Sequence, residues 1–360
     1  MKLILLKNNF LSTLQSLERA IGTTSNLPIL KNIYIKTSQG KIFCIATNLD
    51  IAIQSVVPGK ILEDGEGTVS FSLLYSIIKN IPTERLSLNV AHHRFSITTD
   101  NYEASLEGHD TRDFPLIPSL SNKEVFFQIP AVELRDMLQG IIVATQYSEV
   151  RPEISGVFFK YEEGHLTLVT TDSFRLAERV LASSTIHSGF ETLSMIIPLR
   201  TVEEVLRIFS HNEDVRIYID QNQILFSTGS VELISRLIDG NFPEYKAIIP
   251  KQTEHEITLD REECIHAVKL TSVFSGRTND VVVRVHENGK FVELFSASSA
   301  LGENRYKIPV KLKGSPFHIT FNWKYFLDGL RMYEGKDVVL GVNASDRPAT
   351  ITVPKEKFLT

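Results

Sequence analysis

Apolar residues recur at helical spacing in six segments of the chain, two in each successive third. Because positions i, i+3, i+4 and i+7 share one face of an α-helix, each segment predicts a helix that packs on a core. Ser72 and Asn322 begin two of the segments and are predicted N-caps, and Gly22 is the predicted stop of the first helix. The defining positions are Phe10, Leu11, Leu14, Leu17 and Ile21; Leu73, Leu74, Ile77, Ile78 and Ile81; Val132, Leu138, Ile141 and Ile142; Val202, Val205, Leu206 and Phe209; Cys264, Ile265, Val268 and Val273; and Phe326, Leu327, Leu330 and Tyr333.

Between these helices the chain alternates apolar and polar residues, which is the pattern of half-buried β-strands. Strands joined by short glycine-containing turns are hairpins. Each third therefore predicts the order helix, strands, helix, strands, and an α+β fold with helices packed on antiparallel sheets. The three clearest examples are 32–37 with the turn Gln39-Gly40, 156–159 with Glu163-Gly164, and 281–285 with Asn288-Gly289.

Two similar segments mark the ends of the first two thirds. Asp113-Phe114-Pro115 and Asn241-Phe242-Pro243 each close a run of strand-like pattern, and each precedes a change in character. We interpret both as linkers that close a domain, since self-similarity at a fixed period indicates a repeated unit. The predicted domains are therefore 1–120, 121–250 and 251–360.

Composition supports a soluble globular protein and argues against a simple basic nucleic-acid binder. The chain has 360 residues, of which 42% are hydrophobic and 22% are charged, and its formal net charge is −5. The charge is uneven, with zero in residues 1–120, −7 in 121–250 and +2 in 251–360. A ligand of high negative charge would therefore have to meet local groups of lysine and arginine.

The cysteines and apolar runs bear on the compartment. Cys44 and Cys264 lie far apart in sequence, and both are predicted to be reduced core or interface residues. No apolar stretch approaches the roughly 18 residues of a membrane-spanning helix. The apolar run 1–6 ends at Lys7, too soon for a signal peptide. We expect a cytoplasmic protein that does not bind a membrane.

A hydrolytic enzyme is the first alternative interpretation. His92-His93, His109-Asp110 and Asp172 supply acid–base groups. Their spacing matches no metal motif, and the chain has no CxxC pair, nucleophile elbow or phosphate-binding glycine loop. We therefore expect a non-catalytic protein without a metal or cofactor.

Seven motifs follow one another in a fixed order. They are 27–30 (LPIL), 46–50 (ATNLD), 144–148 (ATQYS), 151–156 (RPEISG), 171–177 (TDSFRLA), 239–245 (DGNFPEY) and 321–327 (FNWKYFL). Together they resemble the bacterial sliding clamp, the beta subunit of DNA polymerase III, over essentially the whole chain. The resemblance implies three similar clamp domains, each with two helices packed on antiparallel sheets. It also implies a head-to-tail homodimer that forms a ring.

The resemblance implies a processivity subunit that encircles duplex DNA and tethers the replicative polymerase and other replication and repair factors. A closed ring can hold DNA through weak, sequence-neutral phosphate contacts. Basic residues on the helices that line the hole would make them, although any solvated helix carries such residues. The candidates are Arg19, Lys79, Arg135, Arg207, Lys269, Lys324 and Arg331.

The family also implies a groove that receives short hydrophobic peptides of the replicative polymerase and the clamp loader. Carried over residue by residue, its walls are Ile154, Thr171, Ser173, Phe174, Arg175, Leu176, Pro243, Ile248, Asn322, Tyr325, Ile351 and Val353. Phe174 stands where the family commonly has histidine, and Lys355 where an apolar methionine is frequent. The loop 23–26 lacks the arginine that many clamps carry there, which puts its DNA role in doubt.

The implied subunit interface joins the first domain of one chain to the third domain of the next. Val273 and Phe274 match the family's apolar pair, and their expected partners are Tyr75, Ala104 and Leu106. The second alternative to a DNA-encircling clamp is a diverged paralogue that acts as a protein-interaction scaffold without encircling DNA.

Overall fold

The computed structural model describes residues 1–22, 27–117, 120, 123–182, 186–209, 213–220 and 222–354. Six α-helices lie in these residues, as the apolar pattern predicts. The loop 23–26 and the tail 355–360, both of which depart from the family pattern, lie outside the described residues. The helices are α1 (Lys7–Leu17), α2 (Phe71–Asn80), α3 (Ala131–Ile141), α4 (Leu199–Ile208), α5 (Arg261–Ser272) and α6 (Trp323–Arg331).

The described residues also form 26 strands. The first group is β1 (Lys2–Leu6), β2 (Asn32–Ser38), β3 (Lys41–Thr47), β4 (Ile51–Val57), β5 (Gly59–Glu63), β6 (Glu66–Ser70), β7 (Arg85–Ala91), β8 (Arg94–Thr98) and β9 (Glu103–His109). The second is β10 (Phe127–Pro130), β11 (Gly156–Glu162), β12 (His165–Thr171), β13 (Leu176–Ala182), β14 (His187–Ser188), β15 (Thr192–Pro198), β16 (Asp214–Asp220), β17 (Gln223–Ser227) and β18 (Val231–Arg236). The third is β19 (His255–Asp260), β20 (Asp280–Val285), β21 (Phe291–Ser298), β22 (Gly302–Pro309), β23 (Lys311–Lys313), β24 (His318–Asn322), β25 (Asp337–Val342) and β26 (Thr350–Thr352).

A short strand precedes the first helix of each repeat, which the apolar pattern did not predict. These strands are β1, β10 and β19, and each leads directly into α1, α3 or α5. The run 1–6 that superficially resembles a signal peptide is β1, with Leu3 and Leu5 buried. It pairs with β5 on one side and β7 on the other. The alternation of buried and exposed residues therefore continues a sheet.

The predicted caps are half right. Asn322 is the N-cap of α6, because its side chain accepts a hydrogen bond from the Lys324 N–H at 3.0 Å. Ser72 is wrong as a cap, since α2 already begins at Phe71 and Ser70 occupies the N-cap position. Phe71 is buried and stacks on Tyr75, so packing extends the helix by two residues.

Gly22 is not a helix stop. The helix α1 ends at Leu17 and continues as a 3₁₀ turn over Glu18–Ala20. The Gly22 N–H donates to the Leu30 carbonyl at 2.9 Å. A Cβ atom on Gly22 would lie 2.9 Å from the Cβ of Leu30, so close packing of two chain segments favours glycine there.

The repeat is visible in the buried faces of the helices. In the first helix of each repeat, positions 4, 7, 8 and 11 are buried, which is the spacing of one helical face. The second helices begin immediately after β6, β15 and β24. The buried positions of the first helices are Phe10, Thr13, Leu14 and Leu17; Leu134, Met137, Leu138 and Ile141; and Cys264, Ala267, Val268 and Thr271.

Close contacts divide the chain into two compact units. The first comprises Met1–Leu138, Gln146–Val169 and Glu178–Asn241, and the second Gln139–Thr145, Thr170–Ala177 and Phe242–Thr360. The first unit contains a sheet of 14 strands in the order β14-β10-β16-β17-β18-β4-β3-β2-β6-β9-β8-β7-β1-β5. The other three sheets are β13-β12-β11-β15, β23-β19-β25-β26 and β22-β21-β20-β24. All pairings are antiparallel, as predicted.

Within the first unit, two repeats are joined by one antiparallel strand pair and by one arginine side chain. We call these contacts together the covered junction. Strand β18 pairs with β4 from Val231↔Ser55 to Ser235↔Ile51. Beside this pair, Arg207 of α4 donates to the carbonyl of Gln15 at 2.9 Å and to that of Ser16 at 3.1 Å, near the C-terminus of α1. The junction therefore joins the helices as well as the sheets.

Glu204 holds this arginine in place. Its carboxylate accepts from Arg207 Nε at 2.7 Å, and the residue is buried. Glu203 and Glu204 lie beyond the first turn of α4, which begins at Leu199. Glu262 and Glu263 do lie in the first turn of α5, where carboxylates stabilise a helix N-terminus.

Neither a membrane helix nor a metal cluster occurs in the part of the chain that the structure describes. No helix there has the length and apolar character to cross a bilayer. No three His, Cys, Asp or Glu side chains there are grouped so as to hold a metal ion. Cys44 and Cys264 are both buried, as predicted, and burial raises the pKa of the Cys264 thiol to about 12.

Candidate peptide-binding site

The centre of the predicted groove is the loop between β12 and β13, which is shaped by its own polar side chains. The Asp172 carboxylate accepts from the backbone N–H groups of Phe174 at 2.9 Å and Arg175 at 3.0 Å. Thr171 Oγ1 donates to the Arg175 carbonyl at 2.8 Å, and Ser173 has a φ of 77°. Such short side chains favour tight turns because they satisfy nearby backbone groups. The loop therefore presents Phe174 and Arg175 in fixed directions.

Arg175 fixes this loop to helix α6, which belongs to the same compact unit. Its Nε donates to Asp172 at 3.0 Å, and its Nη1 donates to Asp328 at 2.6 Å. Its guanidinium carbon lies 4.3 Å from the centroid of the Tyr325 ring. A guanidinium that is held by two carboxylates and stacked on a ring keeps one orientation. Arg175 is therefore positioned as one wall of the site.

Three apolar residues of the predicted groove are exposed. Phe174 is 81% exposed, and its ring centroid lies 6.4 Å from that of Tyr325. Ile248 and Val353 are 56% and 45% exposed. Large apolar side chains grouped on a surface mark places where another apolar chain binds. The arrangement suits a short peptide whose side chains are hydrophobic and uncharged.

Most of the other groove residues have structural contacts of their own. The Ile351 carbonyl accepts from Tyr333 Oη at 2.7 Å, and its side chain reaches within 2.8 Å of where a Cβ of Gly329 would be. Thr171 is buried, whereas Leu176 and Pro243 are partly buried. Ile154 is buried and belongs to the first compact unit. All predicted groove residues except Ile154 belong to the second unit.

Sequence reasoning missed Asp328 and a second copy of this loop. Asn48 accepts from the N–H groups of Asp50 at 3.0 Å and Ile51 at 2.9 Å, while Thr47 Oγ1 donates to the Ile51 carbonyl at 3.0 Å. Leu49 has a φ of 79°. The matching Thr-Asn and Thr-Asp pairs could have revealed the equivalence, and Ile51 takes the place of Arg175.

The predicted DNA-facing residues separate into two groups. Arg135 and Arg207 are engaged with helix ends, since Arg135 Nη1 donates to the Leu206 carbonyl of α4 at 3.0 Å. The others are exposed to solvent. They are Arg19, Lys79, Lys269, Lys324 and Arg331.

The predicted interface residues lie beside two strand edges that we call the open edges, Glu103–Glu107 of β9 and Gly302–Lys307 of β22. Within the described residues, the first pairs only with β8 and the second only with β21. Ala104 and Leu106 lie on β9 and are half-buried, and Tyr75 lies on α2. Val273, 64% exposed, and half-buried Phe274 follow α5 in the second unit.

The acid–base residues of the catalytic alternative have structural roles. His92 and His93 have φ values of 50° and 62° and form the turn between β7 and β8. His109 shares a hydrogen bond with Asn32 at 2.9 Å. Asp110 caps the turn Thr111–Asp113 and binds Arg112, which holds the pKa of its carboxyl well below its usual range.

Comparisons with known proteins agree with this geometry. The chain matches the family models of the DNA polymerase III beta subunit for its N-terminal domain over residues 1–118, its central domain over 128–244 and its C-terminal domain over 246–360. A Staphylococcus aureus protein described as a beta sliding clamp is 28% identical over 352 residues, covering 94% of this chain and 92% of the relative. The Bacillus subtilis beta sliding clamp is 27% identical over 372 residues, covering 100% and 97%. A crystal structure of the DNA polymerase sliding clamp from Bacillus subtilis superposes with a TM-score of 0.93 at 27% identity, covering 99% of this chain and 96% of that one.

Proposed function

Because the chain belongs to the DNA polymerase III beta subunit family, we propose that it is a DNA sliding clamp that encircles duplex DNA and tethers the replicative polymerase. Its task is processivity, and we assign it no catalytic role. The observation that carries the proposal is the threefold repeat, in which each repeat has two helices and the first helices share the buried positions 4, 7, 8 and 11. Repeated units joined by equivalent junctions form a closed assembly when the rotation fits.

The proposed ring is a head-to-tail homodimer. Each chain carries one open edge of each kind, on β9 and on β22. An unpaired strand edge is a template for pairing with another chain. Three leucines in these regions are exposed: Leu73 on α2, Leu270 on α5 and Leu301 directly before β22. Pairing β9 of one subunit with β22 of the other, twice, satisfies both edges of both chains. The three domains proposed are residues 1–120, 121–250 and 251–360.

DNA is held by topology and by weak phosphate contacts of the exposed basic residues on the helices. Lysine and arginine contacts to phosphate are sequence-neutral and depend strongly on salt. Arg19, Lys269, Lys324 and Arg331 are exposed and available for such contacts. Arg135 and Arg207 have donors engaged with helix carbonyls, so we propose a smaller share for them.

The partner surface is the groove around Arg175, which receives short hydrophobic peptides of the polymerase and the clamp loader. The support is exposed Phe174 next to Tyr325, on which the fixed Arg175 stacks, together with the exposure of the predicted groove residues Ile248 and Val353. Apolar pockets with a few oriented polar groups are typical ligand sites. Phe174 adds an aromatic face where histidine is common in the family.

Topology is tested by loading the protein onto a nicked circular plasmid with a bacterial clamp loader, followed by gel filtration. A clamp stays with the circular DNA and is released when the plasmid is cut once, because a ring slides off an end. A protein that dimerises but is never retained on circular DNA contradicts the clamp function and supports the scaffold alternative.

The groove is tested by fluorescence anisotropy with a labelled hydrophobic C-terminal polymerase peptide. Tyr325→Ala should weaken binding by about tenfold, because it removes an aromatic wall and the surface on which Arg175 stacks. Phe291→Ala is the control, since Phe291 is an exposed aromatic residue on β21, outside the predicted groove. Equal binding by wild type and Tyr325→Ala would refute this location.

A further inference from the structure

A basic residue stands at the ninth position of the second helix in all three repeats. Lys79 has this position in α2, Arg207 in α4 and Arg331 in α6. Each helix starts directly after its preceding strand, so the count needs no adjustment. The position is therefore structurally equivalent in the three copies, and what one copy does is informative about the others.

In the second repeat this residue binds a neighbouring helix. Arg207 donates to the carbonyls of Gln15 and Ser16, which are positions nine and ten of α1. The last carbonyls of a helix lack intrahelical partners and carry the negative end of the helix dipole. A cation that reaches them satisfies acceptors and gains electrostatic attraction, so Arg207 stabilises the covered junction.

The open edges offer the same set of elements. At the covered junction one repeat supplies a hairpin strand, β4, with its first helix, and the next supplies its last paired strand, β18, with its second helix. At the open edges the third repeat supplies the hairpin strand β22 with α5, and the first repeat supplies β9 with α2. The two sets contain the same kinds of elements, but only the set at the covered junction is joined within the chain.

The acceptors correspond as well. The helices α1 and α5 share the buried positions 4, 7, 8 and 11, so Gln15 and Ser16 correspond to Lys269 and Leu270. Leu270 is 55% exposed. Its carbonyl accepts a hydrogen bond from Asn304 Nδ2 at 2.9 Å, and the Lys269 carbonyl accepts one from Ser272 Oγ at 2.8 Å. A carbonyl oxygen has a second lone pair, so this helix end can accept another donor.

We propose that Lys79 of one subunit donates to the C-terminal carbonyls of α5 in the other subunit, at Lys269 and Leu270, as Arg207 does within the chain. This inference rests on the homodimer of the proposed function. In the single chain the Lys79 side chain is exposed and makes no hydrogen bond or ion pair among the described residues. Its Nζ lies 5.9 Å from the ring centroid of Tyr75, which is itself a predicted interface residue.

The test compares the dimer dissociation constants of Lys79→Met, Lys79→Arg and wild type by sedimentation velocity, without DNA. Met keeps the length of the side chain but has no donor, so its dimer should be weaker by on the order of tenfold per contact. Arg keeps the charge and the donors, so its dimer should match the wild type. Lys60→Met is the control, because Lys60 is exposed on β5, which three strands separate from β9 in the sheet.

The outcomes separate this inference from the proposed function. If the wild type is a dimer and Lys79→Met dimerises equally well but binds DNA more weakly, Lys79 is a DNA contact and the inference is wrong. If the wild type is a monomer at all concentrations, the proposed ring fails and this inference fails with it. Weaker dimers of Lys79→Met with an unchanged melting temperature of the monomer, and rescue by Arg, support it.

Discussion

The covered junction and the open edges are built from equivalent elements, but their surfaces differ. At the covered junction β4 is mostly buried, with Ile51, Ala52 and Ile53 all inaccessible to solvent. The open edge of β9 alternates exposed and half-buried residues, and that of β22 is largely exposed. Charged residues on an unpaired strand prevent pairing with the wrong chain. The same pairing geometry is thus permanent at the covered junction and, in the proposed dimer, conditional at the open edges.

The largest effect expected is loss of the dimer when a charge is placed at an open edge. Val273→Arg and Phe274→Arg each put an unpaired guanidinium at the apolar end of α5, where the proposed interface lies. Since a buried unpaired charge costs several kcal/mol, dimer affinity should fall by roughly a hundredfold or more. Each mutation acts at both contacts of the ring. Light scattering after gel filtration should show monomers.

The control for this experiment is Phe291→Arg, on a strand that is paired on both sides. Val273 is exposed in the single chain, so Val273→Arg should keep the wild-type melting temperature of the monomer. An unchanged dimer in both variants would contradict the interface at the end of α5.

The covered junction should respond in stability rather than in assembly. Arg207→Met removes two hydrogen bonds to α1 and leaves buried Glu204 without its cation. We expect the free energy of unfolding to fall by about 1–3 kcal/mol, the cost of unpaired buried polar groups. Urea unfolding of the monomeric Val273→Arg background isolates this effect from the dimer.

Arg200→Met is the matched control, because Arg200 lies on the same helix and is exposed. Equal stability of the Arg207→Met and Arg200→Met variants would mean that the contacts of Arg207 do not stabilise the junction.

The fold was largely predictable because local sequence patterns, namely apolar spacing and turn residues, specify the elements of each repeat. The six helices follow from apolar spacing, and the turns Gln39-Gly40 and Glu163-Gly164 adopt the positive φ values that a two-residue hairpin requires. The strands β1, β10 and β19 were missed because each is short and runs directly into a helix. Periodicity over such short segments does not distinguish a strand from a helix start.

The site was predictable only as far as the family resemblance reached. The resemblance supplied Arg175 and Tyr325. These residues do lie together, with the Arg175 guanidinium carbon 4.3 Å from the centroid of the Tyr325 ring. It did not supply Asp328, because the ion pair joins residues 153 positions apart in sequence. The role of Arg207 was missed for the same reason. The sequence does not show which residue lies next to it in space, so a basic residue on a helix face is interpreted as solvated or DNA-facing. The assignment of groove, interface and DNA-facing residues stays a prediction.

A smaller effect is expected from reversing charge on one open edge. The β9 edge carries Glu103 and Glu107, whereas the β22 edge carries Arg305 and Lys307 beside Glu303. Opposite charges across paired strands contribute roughly 0.2–1 kcal/mol per pair, and exposed pairs are screened by salt. Glu103→Lys with Glu107→Lys should therefore weaken the dimer several-fold at low salt, with a smaller difference at high salt.

The complementary change gives the decisive comparison. A chain with Arg305→Glu and Lys307→Glu should be weakened in the same way. Mixing it with the Glu103→Lys, Glu107→Lys chain should restore opposite charges at both contacts, because one contact then has the two charges exchanged and the other keeps the wild-type pairing. Native mass spectrometry reads out the mixed dimer directly. A mixture that forms no more heterodimer than chance would show that these charges do not meet.

The smallest effect concerns the tether that ends the open edge of β9. Glu66 accepts from Tyr34 Oη at 2.5 Å and from Thr111 Oγ1 at 2.7 Å, and so holds the chain just after β9. These hydrogen bonds lower the pKa of Glu66 from its ordinary value of 4.5. A lowered folded-state pKa means stabilisation that is present above the ordinary pKa and is lost as the pH falls through the folded-state pKa. Wild type should therefore lose more stability than Glu66→Gln as the pH is lowered from about 6 to about 3, an interval that begins above the ordinary pKa of 4.5 and extends below it. The difference should stay well under about 1 kcal/mol because the carboxylate is exposed.

Urea unfolding midpoints across this pH interval measure the difference between wild type and Glu66→Gln, with Glu84→Gln as the control on an exposed carboxylate. Parallel pH curves for wild type and Glu66→Gln would mean that the tether contributes nothing to the edge.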